Sequence, residues 1–266
     1  MKLPSSTVRG GKLPVTDNPS ATETLAVVAA RTLAQEKIVF AGHGLPTLAV
    51  ALARETVSPD CAVIYESGVV GAHPESLPLS ISDSVLVSGA EGVLTMPTLF
   101  GGILQGGRAG IGFLGAAQID RQGSLNSTLI GSWDTPRVKL PGSGGAVEIM
   151  ANAREVFVIM RKHTTATFVE QLDFVTSPSP LRAHDPGVAK PQGAGVTKVF
   201  TEFGLLSMVG GELTLTGIHP DVEPERVLAN TGWELAIAEN LTIIEPPTTE
   251  ELALLRDLDP DRVYLR

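Results

Sequence analysis

An α/β fold, an open and mostly parallel sheet covered by helices, is what this sequence predicts, and two features predict it. Continuous apolar runs of strand length end at glycine or at a polar turn, and apolar stretches of helix length lie between them. The order strand, glycine turn, helix, strand over residues 37–65 has the size of a βαβ unit, which places its strands side by side and parallel.

The elements follow in order. A capping signal at Ser20 or Thr22, with Thr24 after it, leads into a helix over Leu25–Gln35. Residues 37–42 (Lys-Ile-Val-Phe-Ala-Gly) read as a buried strand closed by a turn. Residues 45–54 read as a helix, because Pro46 falls in the first turn, where no N–H is needed. The next apolar run, Cys61 to Tyr65, stops at Glu66-Ser67-Gly68. Further strands are expected at 112–117, 155–160 and 196–200. The alternating run 213–218 reads as an edge strand. Short helices are expected at 225–228 and 250–256. Residues 1–20 form an irregular tail and 21–266 a single domain, with a turn-rich surface excursion between Val175 and Pro191.

Composition narrows the function. The net charge is −9 and the 20 basic residues are scattered, which argues against a nucleic-acid partner. A single cysteine, Cys61, allows no internal disulfide and no thiolate-rich metal site. The five histidines, His43, His73, His163, His184 and His219, show no helical zinc spacing. No bound metal and no resident cofactor are expected. The polar N-terminus lacks a signal-like apolar core, and no apolar run approaches a membrane span, so a cytoplasmic location is expected.

Three segments could carry chemistry. Glu66 directly follows an apolar strand, and open parallel sheets bind ligands outside the carboxyl ends of their strands. Gly68 lets the chain turn sharply there. At 141–146, the run Pro141-Gly142-Ser143-Gly144-Gly145-Ala146 could gather consecutive N–H groups around an oxyanion or phosphate. It matches neither the Walker nor the dinucleotide glycine pattern. The glycine-rich run 101–112 could carry Arg108 toward an anionic group, and an exposed loop arginine is an equal reading. No Gly-x-Ser-x-Gly elbow is present. Taken alone, these residues lean toward acyl or phosphoryl chemistry and go no further.

Taken together, in order, they resemble a known family. Glu66-Ser67-Gly68, the stretch from Gly115 to Asn126 and the Gly142–Ala146 glycines are followed by His163, Phe168-Val169 and Asp173-Phe174. Thr176-Ser177-Pro178 and the run from Gly217 through His219 to Val222 complete the set. This set is similar to the β subunits of family I CoA-transferases, nearest the glutaconate branch, which carries Glu-Ser-Gly at the nucleophile and to which transferases acting on 3-oxoadipate are also similar. Ser124 stands where asparagine is commoner. The resemblance implies that Glu66 is a covalent nucleophile that passes CoA between carboxylic acids through a glutamyl-CoA thioester. It implies that Gly144, Gly145 and Ala146, with Ser67 and Gly68, serve the oxyanion and the bound CoA. It also implies an α-subunit partner (an assembly such as α2β2), an acyl-CoA and a carboxylic or dicarboxylic acid as substrates, and the 96–112 segment as an interface. A decarboxylase or hydrolase on the same scaffold, or a non-catalytic effector-binding α/β module, are the alternative readings.

Overall fold

The first helix of the protein, α1 (Ala21–Arg31), starts where its cap dictates. Ser20 accepts from the Glu23 N–H, and the Glu23 carboxylate accepts from the Ser20 N–H, a reciprocal capping box. Of the two capping residues the sequence offered, the fold uses Ser20. The helix therefore begins four residues earlier than expected and ends at Arg31. Residues 32–35 form turns, and Gln35 takes a left-handed φ of 68°.

The computed structural model describes residues 18–42, 44–74, 77–182 and 190–266; His43, His184 and most of the expected 1–20 tail lie outside these. After α1 come β1 (Ile38–Phe40), α2 (Leu45–Glu55), β2 (Ala62–Ile64), β3 (Val69–Val70), β4 (Gly92–Val93) and β5 (Ile111–Leu114). Two short ribbons follow, β6 (Gln118–Ile119) with β7 (Leu125–Asn126), and β8 (Leu129–Gly131) with β9 (Pro136–Lys139). The chain continues with α3 (Ala146–Asn152), β10 (Glu155–Met160), β11 (Val196–Thr201), β12 (Gly204–Val209), β13 (Glu212–Ile218), α4 (Pro224–Ala229), β14 (Ala236–Ile243) and α5 (Thr249–Leu258).

Among the described residues ten strands form one sheet in the order β14-β13-β12-β11-β10-β5-β1-β2-β3-β4. Its centre, β2-β1-β5-β10-β11, is parallel throughout, and antiparallel pairs extend it on both sides. Residues 213–218 are a correction to the sequence reading. They form β13, an inner strand between β12 and β14, and the edge is β14. Alternation reports that one face of a strand is covered; it does not report whether both edges are paired. The exposed, charge-bearing β14 and the strand β12 gave no comparable signal.

Helices cover both faces. Phe157 and Ile159 of β10 join the core beneath α1, α2 and α5, with Val39, Val63 and Phe113. Val156, Val158 and Met160 point the other way, into a second core with Ile149, Leu206 and Leu215. A strand buried on both faces is why 155–160 reads as an unbroken apolar run.

One buried acid ties the ends of the chain together. Glu23 is 1 % exposed and meets Arg256 of α5 at 2.8 Å and Arg262 at 3.5 Å. Burial alone raises its pKa, but Arg256 and the Ser20 cap outweigh this and hold it below the usual carboxylate range. Its stabilising contribution is therefore present at neutral pH and lost as pH falls through the lowered pKa. Glu23→Gln is expected to cost about 3 kcal/mol, the low end for a broken buried pair because Arg256 keeps some solvent. Urea denaturation at pH 7 and at pH 4 checks this, and the gap between variant and wild type should narrow at the lower pH.

Candidate active site

Four residues after β2 place the candidate nucleophile. Tyr65, Glu66, Ser67 and Gly68 form a tight turn closed by the Gly68 N–H donating to the Tyr65 carbonyl at 2.9 Å. The chain then returns as β3, antiparallel to β2. Gly68 has φ +99°, and a Cβ there would collide with the Leu94 carbonyl oxygen, so both conformation and space require glycine. The Leu94 N–H donates back to the Gly68 carbonyl, which fixes the turn against the 94–95 segment.

Glu66 projects from this turn into a cleft of about 640 Å³. The cleft lies beyond the carboxyl ends of β1, β5 and β10, as expected for a parallel sheet. Its lining includes Gly42 and Pro46, Leu114 and Gly115, and Pro141–Ser143 with Ala146. The glycine run thus arrives beside a carboxylate distant in sequence. The Gly145 N–H donates to Glu66 Oε2 at 3.3 Å. Gly144 has φ +46°, and a Cβ on it would lie 3.2 Å from the same oxygen. A Cβ on Gly145 would stand 2.7 Å from Phe100 Cζ and 3.2 Å from Glu66 Cδ. Only bare backbone fits between Phe100 and the carboxylate.

The electrostatics are plain. Glu66 is half-buried, and desolvation raises its pKa, partly offset by the Gly145 N–H. Among the described residues no cation contributes. A carboxylate held this way is less solvated than in water, and its ionised form is correspondingly more reactive. Ser67 Oγ beside it is buried with no hydrogen-bond partner among the described residues. Native proteins seldom leave such a hydroxyl unsatisfied without a reason at the site.

The structure therefore brings Glu66, Gly144 and Gly145 into direct contact and sets Ser67 and Gly68 in the same turn. Ala146 lines the cleft, but its N–H is spent on the Ser143 carbonyl at 2.8 Å. It is not turned toward Glu66 as part of a continuous nest. Arg108 is exposed and does not line the cleft. His163 sits in the core, stacked on Phe168 and hydrogen-bonded to Thr201 and Thr231, and burial pushes its pKa down to about 3. It is a packing residue. Within the 115–126 motif, Gly115 and Ala117 line the cleft while the rest is structural: buried Asn126 donates to Gln118 Oε1 and to the Leu129 carbonyl. Ser124 Oγ accepts from the Ser179 N–H.

Two residues at the site carried no motif, one behind Gly145 and one in the cleft. Phe100, on a π-type helical turn over Thr98–Leu104, backs Gly145. Arg161 lines the cleft immediately after β10. The strand-end rule that singles out Glu66 applies to Arg161 equally, so that signal was present. Among the described residues no cluster of His, Cys, Asp and Glu could hold a metal, and no helix is long and apolar enough to cross a membrane.

Comparison with known proteins agrees with this geometry. The family model "Coenzyme A transferase" matches residues 22–230. The B-type subunit of the 3-oxoadipate CoA-transferase of Pseudomonas knackmussii is 43% identical over 244 residues, covering 90% of this chain and 93% of the relative. The B-type subunit of the glutaconate CoA-transferase of Acidaminococcus fermentans is 30% identical over 256 residues, covering 92% and 94%. The crystal structure of the latter organism's glutaconate CoA-transferase superposes with a TM-score of 0.85 at 29% identity, over 94% of this chain and 98% of that one. With its ten-stranded sheet, its strand-end carboxylate and these relatives, this chain belongs to the coenzyme A transferase family and is a B-type subunit of a CoA-transferase.

Proposed function

We propose that this chain is the nucleophile-bearing subunit of a two-subunit enzyme that moves CoA between short carboxylic acids through Glu66. The observation that carries the proposal is the desolvated Glu66 carboxylate, with no counter-cation among the described residues and touched by one backbone N–H.

The chemistry follows from that contact. The Glu66 carboxylate attacks the thioester carbonyl of the donor acyl-CoA. The C–S bond breaks, CoA leaves as a thiolate, and an acyl-glutamyl anhydride remains. The thiolate then attacks the glutamyl carbonyl, giving a glutamyl-CoA thioester and releasing the donor acid. An acceptor carboxylate runs the two steps in reverse, which returns Glu66 and yields the new acyl-CoA. Each glutamyl step develops negative charge on the Glu66 carboxyl oxygen that the Gly145 N–H already faces. Ser67 Oγ, without a hydrogen-bond partner among the described residues, supplies a further donor to the bound thioester or its oxyanion. The thioester is consumed as substrate, and no resident cofactor is required.

The partner is an α subunit of the kind the relatives' subunit names imply. The exposed, glycine-rich 96–107 segment faces it, with Met96 58% exposed and open space over Gly101 and Gly102. Closure by that partner would keep water from the anhydride. We place the reaction in the cytoplasm, where acyl-CoA is formed and used. The relatives act, by their names, on 3-oxoadipate and glutaconate, so short dicarboxylic acids are the substrate class assigned here.

The test is to purify the chain with its partner, add acyl-CoA and treat with borohydride. Borohydride reduces an enzyme thioester to an alcohol, and mass spectrometry is expected to find that change at Glu66 only when acyl-CoA is present. An active complex in which Glu66 stays unmodified would overturn the covalent mechanism and favour hydrolysis or decarboxylation on the same scaffold.

A further inference from the structure

Only two charged side chains are found among the described residues that line the cleft, Glu66 and Arg161. They do not pair with each other. Glu66 accepts a hydrogen bond from Gly145 and feels no cation. Arg161 donates from Nη1 to the Arg266 main-chain oxygen at 3.0 Å and from Nη2 to the Tyr264 carbonyl at 2.8 Å. Those two acceptors hold the guanidinium in place and leave three of its five N–H groups for another partner. Among the described residues no carboxylate side chain forms an ion pair with it. Elsewhere among the described residues Arg31, Arg121, Arg154, Arg182, Arg256 and Arg262 all meet acidic side chains.

The surface of the cleft includes apolar side chains, among them Leu45, Phe113, Leu114, Ile159 and Val263. The cleft therefore offers a carboxylate nucleophile, an apolar wall and, separate from the nucleophile, an anchored cation. That suits a bifunctional acyl group, with a carbonyl for Glu66, a short methylene chain for the wall and a free carboxylate for the guanidinium. A planar guanidinium binds a carboxylate in a two-pronged way that an ammonium does not reproduce.

We propose that Arg161 determines specificity by binding the distal carboxylate of a dicarboxylic acyl group while its proximal carbonyl reacts at Glu66. This rests on the covalent CoA-transfer reading above and adds to it the residue that selects the acid. A cation at this place also explains how one cleft favours dicarboxylic over equally long monocarboxylic acids: the latter leave Arg161 without its anion and lose a charge-assisted contact.

The experiment compares glutarate with valerate, acids of equal chain length, as acceptors from acetyl-CoA. The full chain with its partner subunit is used as wild type, Arg161→Ala and Arg161→Lys. For wild type, kcat/KM is expected to favour glutarate. In Arg161→Ala the glutarate-to-valerate ratio should fall roughly 100-fold, the upper end for losing hydrogen bonds to a charged group. Arg161→Lys should recover part of the ratio, because it keeps the charge and loses the fork. An unchanged ratio in Arg161→Ala overturns the proposal, whether rates are preserved or both acids decline together. A common decline with a raised KM for acetyl-CoA would instead assign Arg161 to the CoA moiety or to anchoring the 264–266 segment. Borohydride trapping with acetyl-CoA separates this from the parent reading. An adduct at Glu66 in wild type with an unchanged ratio defeats only the role of Arg161; no adduct in an active wild type defeats the covalent mechanism itself.

Discussion

Glu66→Gln in the assembled enzyme is expected to lose CoA transfer by at least about 10⁴-fold, the scale seen when a covalent nucleophile is removed elsewhere. The amide keeps the shape of the side chain and can still meet the Gly145 N–H through its oxygen, but it has no charge with which to open a thioester. The same substitution should not harm the fold. Burial raises the Glu66 pKa, so the ionised carboxylate is held less favourably in the folded chain than in the unfolded one. The sign is fixed by that direction: above the raised pKa the charge detracts from stability, and there the glutamine variant is expected to match or exceed wild type in thermal midpoint. For activity the dependence runs the other way. Only the ionised form attacks, so kcat/KM in wild type should be full above the raised pKa and fall as pH drops through it. That acid limb is expected above the usual carboxylate range. A rate measurement from pH 4 to 8 beside a melting curve of the variant checks both statements, and a variant that retains transfer would remove Glu66 from the mechanism.

Gly145→Ala is expected to lower kcat by about 10²–10³-fold, comparable to the loss of one oxyanion donor. The reason is geometric. The new methyl would lie 2.7 Å and 2.9 Å from Phe100 Cζ and Cε1, and 3.2 Å from the Glu66 carboxyl carbon. Something must move, and the candidates are the Phe100 ring, the carboxylate and the 144–145 backbone. Phe100 is half-buried on a turn whose neighbouring Gly101 and Gly102 are open, so the fold can absorb the shift with modest loss of stability. The hydrogen bond at 3.3 Å has no such tolerance, since another few tenths of an ångström ends it. Stopped-flow release of CoA thiol, with circular dichroism of the same sample, separates a chemical defect from unfolding. A variant with wild-type burst kinetics would show that the Gly145 N–H does not stabilise the developing charge.

These two residues also mark the line between what is written locally and what is not. The strand ending at Tyr65, the carboxylate placed after it and the glycine that permits the turn are consecutive, and consecutive residues advertise themselves by periodicity and turn chemistry. The same holds for the parallel core strands, which read as unbroken apolar runs because both their faces are covered. Ser20 and Thr248 announce the starts of α1 and α5 through capping boxes contained in four residues each.

The order of strands was not legible in this way. Alternation in 213–218 tells of a covered face and not of neighbours, so β13 read as an edge although it lies inside, while the true edge strand β14 is mostly exposed. The site shows the same limit. The glycine run at 142–145 is ambiguous by itself, since identical residues make a flexible turn or an anion cradle. Folding decides between them by carrying Gly145 across 79 residues of sequence to Glu66, turning its N–H to the carboxylate and spending that of Ala146 on Ser143. Arg161 gained its place in the cleft by the same means, through carbonyls 103 and 105 residues away. The sequence by itself determined the class of fold, the strand-end carboxylate and the family to which the chain belongs. Only the tertiary structure decided which donor faces that carboxylate and which cation shares its cleft, because each contact is a closure between distant segments that no local pattern records.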